Sequence, residues 1–126
     1  MSCDLCAEPG APEWLASLDP TLDEPVIDAI AVVNEADGAV DGDTATRALV
    51  AAELVASAAG EAPDDLPPPA REWVERHGVP AEELVERALR AVRCVAQDDD
   101  LRASHDDAWR EAVQDLRFRL GDLAAP

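Results

Sequence analysis

A chain of 126 residues with a net charge of −18 suits one domain, large enough to bury a core without disulfides or metal. All ten basic residues are arginine against 28 acids, which excludes the cationic footprint that phosphate-backbone binding needs. No apolar run is long enough to cross a bilayer as a helix.

The first eleven residues, MSCDLCAEPGA, read as a flexible tail, and residues 12–123 as a single helical domain. The start has neither a basic region nor an apolar core, so no secretory signal is read. A cytoplasmic, reducing location is the expectation, and three cysteines, an odd number, do not suggest a disulfide framework. Cys3 and Cys6 form a CxxC with three open readings: loose thiols, a zinc half-site completed elsewhere or by a second chain, or a redox pair. A redox pair of this spacing usually follows a strand and opens a helix, and only two residues precede Cys3. A structural zinc needs four ligands, and Cys94, His77 and His105 show no second paired spacing.

Helix signals then run the length of the chain. PEWLASL gives a short helix over 12–18. Residues 23–37 follow, with Pro25 in the first turn, Val26, Ile27, Ile30 and Val33 at helical spacing, and Gly38 as the stop. Residues 43–59, with Asp43 as N-cap and Gly60 as stop, are apolar nearly all round, the mark of a helix at the centre of a bundle. EAPDDLPPPA reads as a stiff, extended connection, since three prolines in a row disfavour helix. A short helix near 69–77 precedes a strongly one-faced helix over 80–97. The acids at 98–100 break that helix or open a short turn, and 104–121 closes the chain, with Ser104 and Asp107 as a capping-box pair. The expected fold is all-α: four main helices with two short accessory ones.

Several residues stand out from this pattern. Glu53 is the only acid in the apolar third helix. A buried carboxylate needs a partner, and an arginine from another helix fits better than Arg47, which projects elsewhere. Cys94 falls on the polar side of its helix near Arg87 and Arg90. It is either a reactive thiol, since nearby cations favour a thiolate, or a small apolar filler beneath a short helix. His105 should pack on Trp109, four residues on. His77 suits the negative end of its helix. Phe118 points away from the Trp109 stripe and marks either a second buried face or a partner contact. No phosphate loop, nucleophile elbow or paired-histidine motif is found.

From EWLASL through ATRALVAAELVASAAG and DDLPPPAREWV to AWREAVQDLRFRL, residues 13–120 resemble a family of small bacterial proteins, domain-of-unknown-function family 4259. Its members share an alanine-rich helix containing AAE, a leucine–proline loop and two further helices ending in a tryptophan-bearing segment. The family usually opens with a Gly-Trp-Gly and Phe-Asn-Asp type segment. MSCDLCAEPGAP stands here instead, so nothing of that opening carries over. The resemblance implies a fold and no particular activity.

The acidity is uneven. Residues 1–70 hold fifteen acids and Arg47, a balance of −14, whereas 71–126 hold thirteen acids and nine arginines, a balance of −4. Either the acids are only a solvated surface or they steer a basic partner. The functional expectation is an acidic protein that binds another protein as an immunity, inhibitor or regulatory factor, through Asp37, Asp41, Asp64, Asp65 and Phe118. A metal- or thiol-dependent protein using Cys3 and Cys6 is the alternative from another class, and self-association as a homodimer is a third. Neither a cofactor, apart from a zinc at Cys3 and Cys6, nor an enzymatic activity is expected.

Overall fold

The computed structural model describes residues 8, 10–19, 21–36, 40–60 and 66–124. Among them there are seven helices and no strand: α1 (Ala11–Ser17), α2 (Glu24–Glu35), α3 (Gly42–Ala58), α4 (Pro68–His77), α5 (Glu82–Ala96), α6 (Asp99–Ser104) and α7 (Asp107–Ala124). The all-α expectation holds.

α3 is the axle. From Ala45 to Ala58 every residue except Arg47 is buried, because α1, α2, α4, α5 and α7 all pack on it. Six alanines in that stretch, at 45, 48, 51, 52, 56 and 58, let neighbouring backbones come close. α2 makes the most extensive contact with α3, and α5 lies between α3 and α7, touching both. α5 buries Val85, Ala88, Leu89, Val92 and Val95 along one face, and α7 buries Trp109, Val113, Leu116 and Leu120. Both stripes follow the three-to-four residue spacing of an amphipathic helix. Polar ties fix the corners. The Trp73 indole N–H donates to the Leu22 carbonyl at 3.0 Å, and the Asn34 amide donates to the Arg87 carbonyl at 3.0 Å. His105 stacks on Trp109 with ring centroids 4.1 Å apart.

The helix ends depart from expectation in four places. α3 is capped by Asp41, not Asp43. Asp41 sits in an extended conformation and accepts from the Thr44 N–H at 2.7 Å, so the helix starts earlier and Asp43 joins its first turn. There its charge still meets the positive end of the dipole. The three prolines do not hold off the helix. Pro67 is the N-cap of α4, and Pro68 and Pro69 fill its first two positions, where an N–H has no intrahelical partner to lose. The acids at 98–100 follow the end of α5 and open a six-residue helix where a short turn was the other reading, because Asp98 accepts from the Leu101 N–H at 3.1 Å. Lastly, α7 is capped by Asp106, which accepts from the Trp109 N–H at 2.9 Å, while the Ser104 hydroxyl donates back to the Leu101 carbonyl and ends α6. Ala11, placed in the tail by the sequence reading, is wholly buried as the first residue of α1.

The Asp41 cap has a pH signature. The Thr44 backbone N–H, and then its hydroxyl, hold the Asp41 carboxyl below the usual carboxylate range. A depressed folded pKa stabilises above the unfolded value of about 3.9 and loses that contribution as pH falls through the folded value. Asp41→Ala therefore lowers the urea midpoint at neutral pH more than Asp43→Ala does, and its deficit shrinks below about pH 4. A larger loss from Asp43→Ala contradicts the observed cap.

Candidate functional site

Glu53 is 3% exposed in the middle of α3. Arg119, from α7, meets it with both arms of its guanidinium. Nη1 donates to Oε2 at 2.7 Å and Nη2 donates to Oε1 at 2.8 Å. Ser57, one turn along α3, donates its hydroxyl to Oε2 at 3.3 Å. Arg119 Nε donates to Asp115 at 2.9 Å, one turn back on α7. Burial works against the Arg119 charge, but the hydrogen bonds and charges of Glu53 and Asp115 outweigh it and hold the guanidinium above its ordinary range. Both carboxylate oxygens of Glu53 are engaged by a fork geometry that is among the stronger hydrogen-bond arrangements. The cluster joins α3 to α7, and it leaves Glu53 no free oxygen with which to act as a base.

The outward face of α7 has a different character. Asp107, Glu111, Gln114, Phe118 and Asp122 follow one another at three- and four-residue intervals, and all are exposed. Phe118, the only phenylalanine in the chain, is 71% exposed. An aromatic ring between carboxylates presents apolar area, a negative π-face and full negative charges together, which suits a cationic surface.

A cleft of about 280 Å³ opens where the start of α2, the end of α4 and the start of α5 meet. Ile27, Trp73, Pro80 and Leu84 form its apolar wall, and Asp23, His77, Glu83 and Arg87 its polar one. The His77 ring stacks on Trp73 with centroids 4.2 Å apart. Its Nε2 is buried and has no hydrogen-bond partner among the described residues. Glu83 and Arg87 pair with each other at 2.6 Å. Asp23 is the N-cap of α2, yet its carboxylate makes no capping bond. Leu22 and Val79, next in sequence to lining residues, are 47% and 82% exposed.

The model of a domain of unknown function, DUF4259, matches residues 9–118, from just before α1 into α7. The chain belongs to this family. A search of curated proteins and a search of solved structures each returned no match. The DUF4259 match takes in α3 with Glu53, the whole cleft and Phe118, and ends one residue before Arg119.

The residues singled out from sequence are not brought together into one site. Cys3, Cys6, Asp37, Asp64 and Asp65 lie outside the described residues. Asp41 is exposed, with one carboxylate oxygen already engaged by Thr44. Cys94 is exposed on α5, so the reading of it as a covered apolar filler is corrected: among the described residues no short helix covers it. Among the described residues no group of three or more His, Cys, Asp or Glu side chains is arranged to hold a metal ion, and no helix is long and apolar enough to cross a membrane. His77 stacks on a tryptophan and lines a cleft, beyond its expected place at a helix end. Asp23, Trp73, Glu83 and Arg87 were not singled out as site residues. The available signal was that Trp73 and His77 stand four apart, as His105 and Trp109 do.

The Glu53–Arg119 pair sets a clear expectation for stability. Arg119→Met leaves a buried carboxylate without its countercharge and lowers unfolding free energy by about 3 kcal/mol. Adding Glu53→Leu recovers most of that loss, because an apolar pair of similar volume substitutes well for a buried ion pair. Urea denaturation of the two variants measures both effects. Equal losses in the single and double variants contradict the pairing.

Proposed function

We propose that this chain is an acidic protein-binding protein of the cytoplasm, which holds a basic protein partner as an inhibitor, immunity factor or regulator. The observation that carries the reading is Phe118, exposed on an α7 face whose other members are Asp107, Glu111, Gln114 and Asp122. A large exposed aromatic suits an anchor at the centre of an interface, and carboxylates around it suit a charged rim. The net charge of −18 adds long-range attraction, which speeds encounter with a cationic protein and weakens with salt. Asp37, Asp41, Asp64 and Asp65 are proposed as a second set of steering charges.

A photo-crosslinking residue at position 118, Phe118→p-benzoylphenylalanine, tests this in the protein's own host. The expected result is one dominant adduct with a basic protein. Its yield should fall several-fold in about 0.5 M salt, where the Debye length is only a few ångströms, and replacing Glu111 and Asp122 with serine should lower it too. An adduct only with a second copy of the chain overturns the reading in favour of a homodimer. No adduct, or one indifferent to salt and to both carboxylates, overturns it outright.

A further inference from the structure

A pocket of about 380 Å³ lies between α1 and the first two turns of α3, and it shares no residue with the α7 stripe or the cleft. Glu13 and Trp14 come from α1, Asp43, Thr46 and Arg47 from α3, and Gly10, the N-cap of α1, stands at the rim. A Cβ at Gly10 would lie 4.0 Å from an Asp43 carboxylate oxygen, so the two helix starts meet there. We propose that this pocket binds a free α-amino acid with an apolar side chain. Its carboxylate is held by Arg47 and the Thr46 hydroxyl, its ammonium group by Glu13 and Asp43. The volume of about 380 Å³ exceeds the roughly 150 Å³ that houses benzene in a protein interior. The half-buried Trp14 ring offers the ligand's side chain an apolar wall.

Thr46 points to a ligand. It is 8% exposed, yet its hydroxyl makes no hydrogen bond among the described residues. Unlike His77 Nε2, that oxygen is not sealed from solvent, and Thr46 lines the pocket. A hydroxyl so placed is a donor and an acceptor without a protein partner. Arg47, next in sequence, is exposed and forms no ion pair among the described residues, although Asp43 stands one turn back on the same helix. Together the charges favour a zwitterion. A plain anion meets Glu13, Asp43 and a chain of net charge −18, and a plain cation meets the Arg47 guanidinium. The positive ends of α1 and α3 add little, since Glu13 and Asp43 already occupy their first turns. A molecule bearing both charges on one carbon has no net charge to repel. Asp43 and Arg47 are four residues apart, about 6 Å along the helix, so such a molecule can lie between them. Each of its charged groups then makes charge-assisted hydrogen bonds.

The test is a titration of the ¹⁵N-labelled full chain with phenylalanine at constant ionic strength. Two controls each lack one of its charges: 3-phenylpropionate has no ammonium group and 2-phenylethylamine no carboxylate. The expected result is saturating shifts at the Trp14 indole N–H and at the amides of residues 43–47, with either control bound at least about fivefold more weakly. Thr46→Val keeps the shape of the side chain but removes the hydroxyl, and Arg47→Gln removes the charge; each should weaken phenylalanine binding by roughly fivefold. Should Thr46→Val fail to fold, Arg47→Gln, a change at an exposed residue, decides alone. Three results overturn the proposal: shifts that are absent or spread over the surface without saturating, equal affinity for either control, or undiminished affinity in Arg47→Gln. Any of these leaves a pocket that only water enters.

Discussion

The ion pair between Glu53 and Arg119 ties α7 to the helix that the rest of the bundle surrounds. From residue 48 to residue 58 α3 is buried all round, so any charge in that stretch must be met inside the protein or abandoned at high cost. Glu53 is that charge, and Arg119 answers it with two hydrogen bonds of 2.7 and 2.8 Å. A fork-shaped contact fixes both the depth of α7 against α3 and its rotation about its own axis. With that rotation set, Trp109, Val113, Leu116 and Leu120 face the core. Phe118, one residue from Arg119 and about 100° around the helix, faces outward. The exposure of Phe118 thus follows from a contact in the interior.

α3 is also why the bundle needs so little else. Its alanines add little side-chain bulk, so five helices can crowd around one. Close packing of that kind tolerates little change in volume. The candidate sites accordingly stand at the periphery: an exposed stripe on α7, and a cleft where three helix ends leave a gap. The two differ in character. The α7 stripe is convex, acidic and centred on one ring, and suits a protein. The cleft is concave and small, and His77, with its buried and unpartnered Nε2, is one of the residues in its wall.

Much of the fold was legible because helical periodicity is a repeated signal. The apolar continuity of α3 and the stripes on α5 and α7 each rest on many residues, and one odd residue does not blur them. The need of Glu53 for an arginine on another helix could be read from local spacing; that the arginine is Arg119 could not, since the two lie 66 residues apart and only tertiary packing joins them. Helix ends were less legible because each depends on one side chain competing with its neighbours. Asp41 and Asp43 are equal on paper, and backbone geometry alone selects Asp41 as the cap. The cleft was the least legible feature. It is built from three segments, and its distinguishing mark, the orphaned His77 nitrogen, is a property of what surrounds a residue and not of the residue itself.

Native-state hydrogen exchange tests most directly whether the Glu53–Arg119 contact makes α3 and α7 one cooperative unit. The slowest amides, which open only with global unfolding, should lie in residues 49–56 of α3. Amides 116–120 of α7 should share their opening free energy and its denaturant dependence. If α7 exchanges instead through a cheaper, separate opening while α3 stays protected, Glu53 can lose its partner without unfolding. The ion pair is then not what holds α7, and with it Phe118, in place.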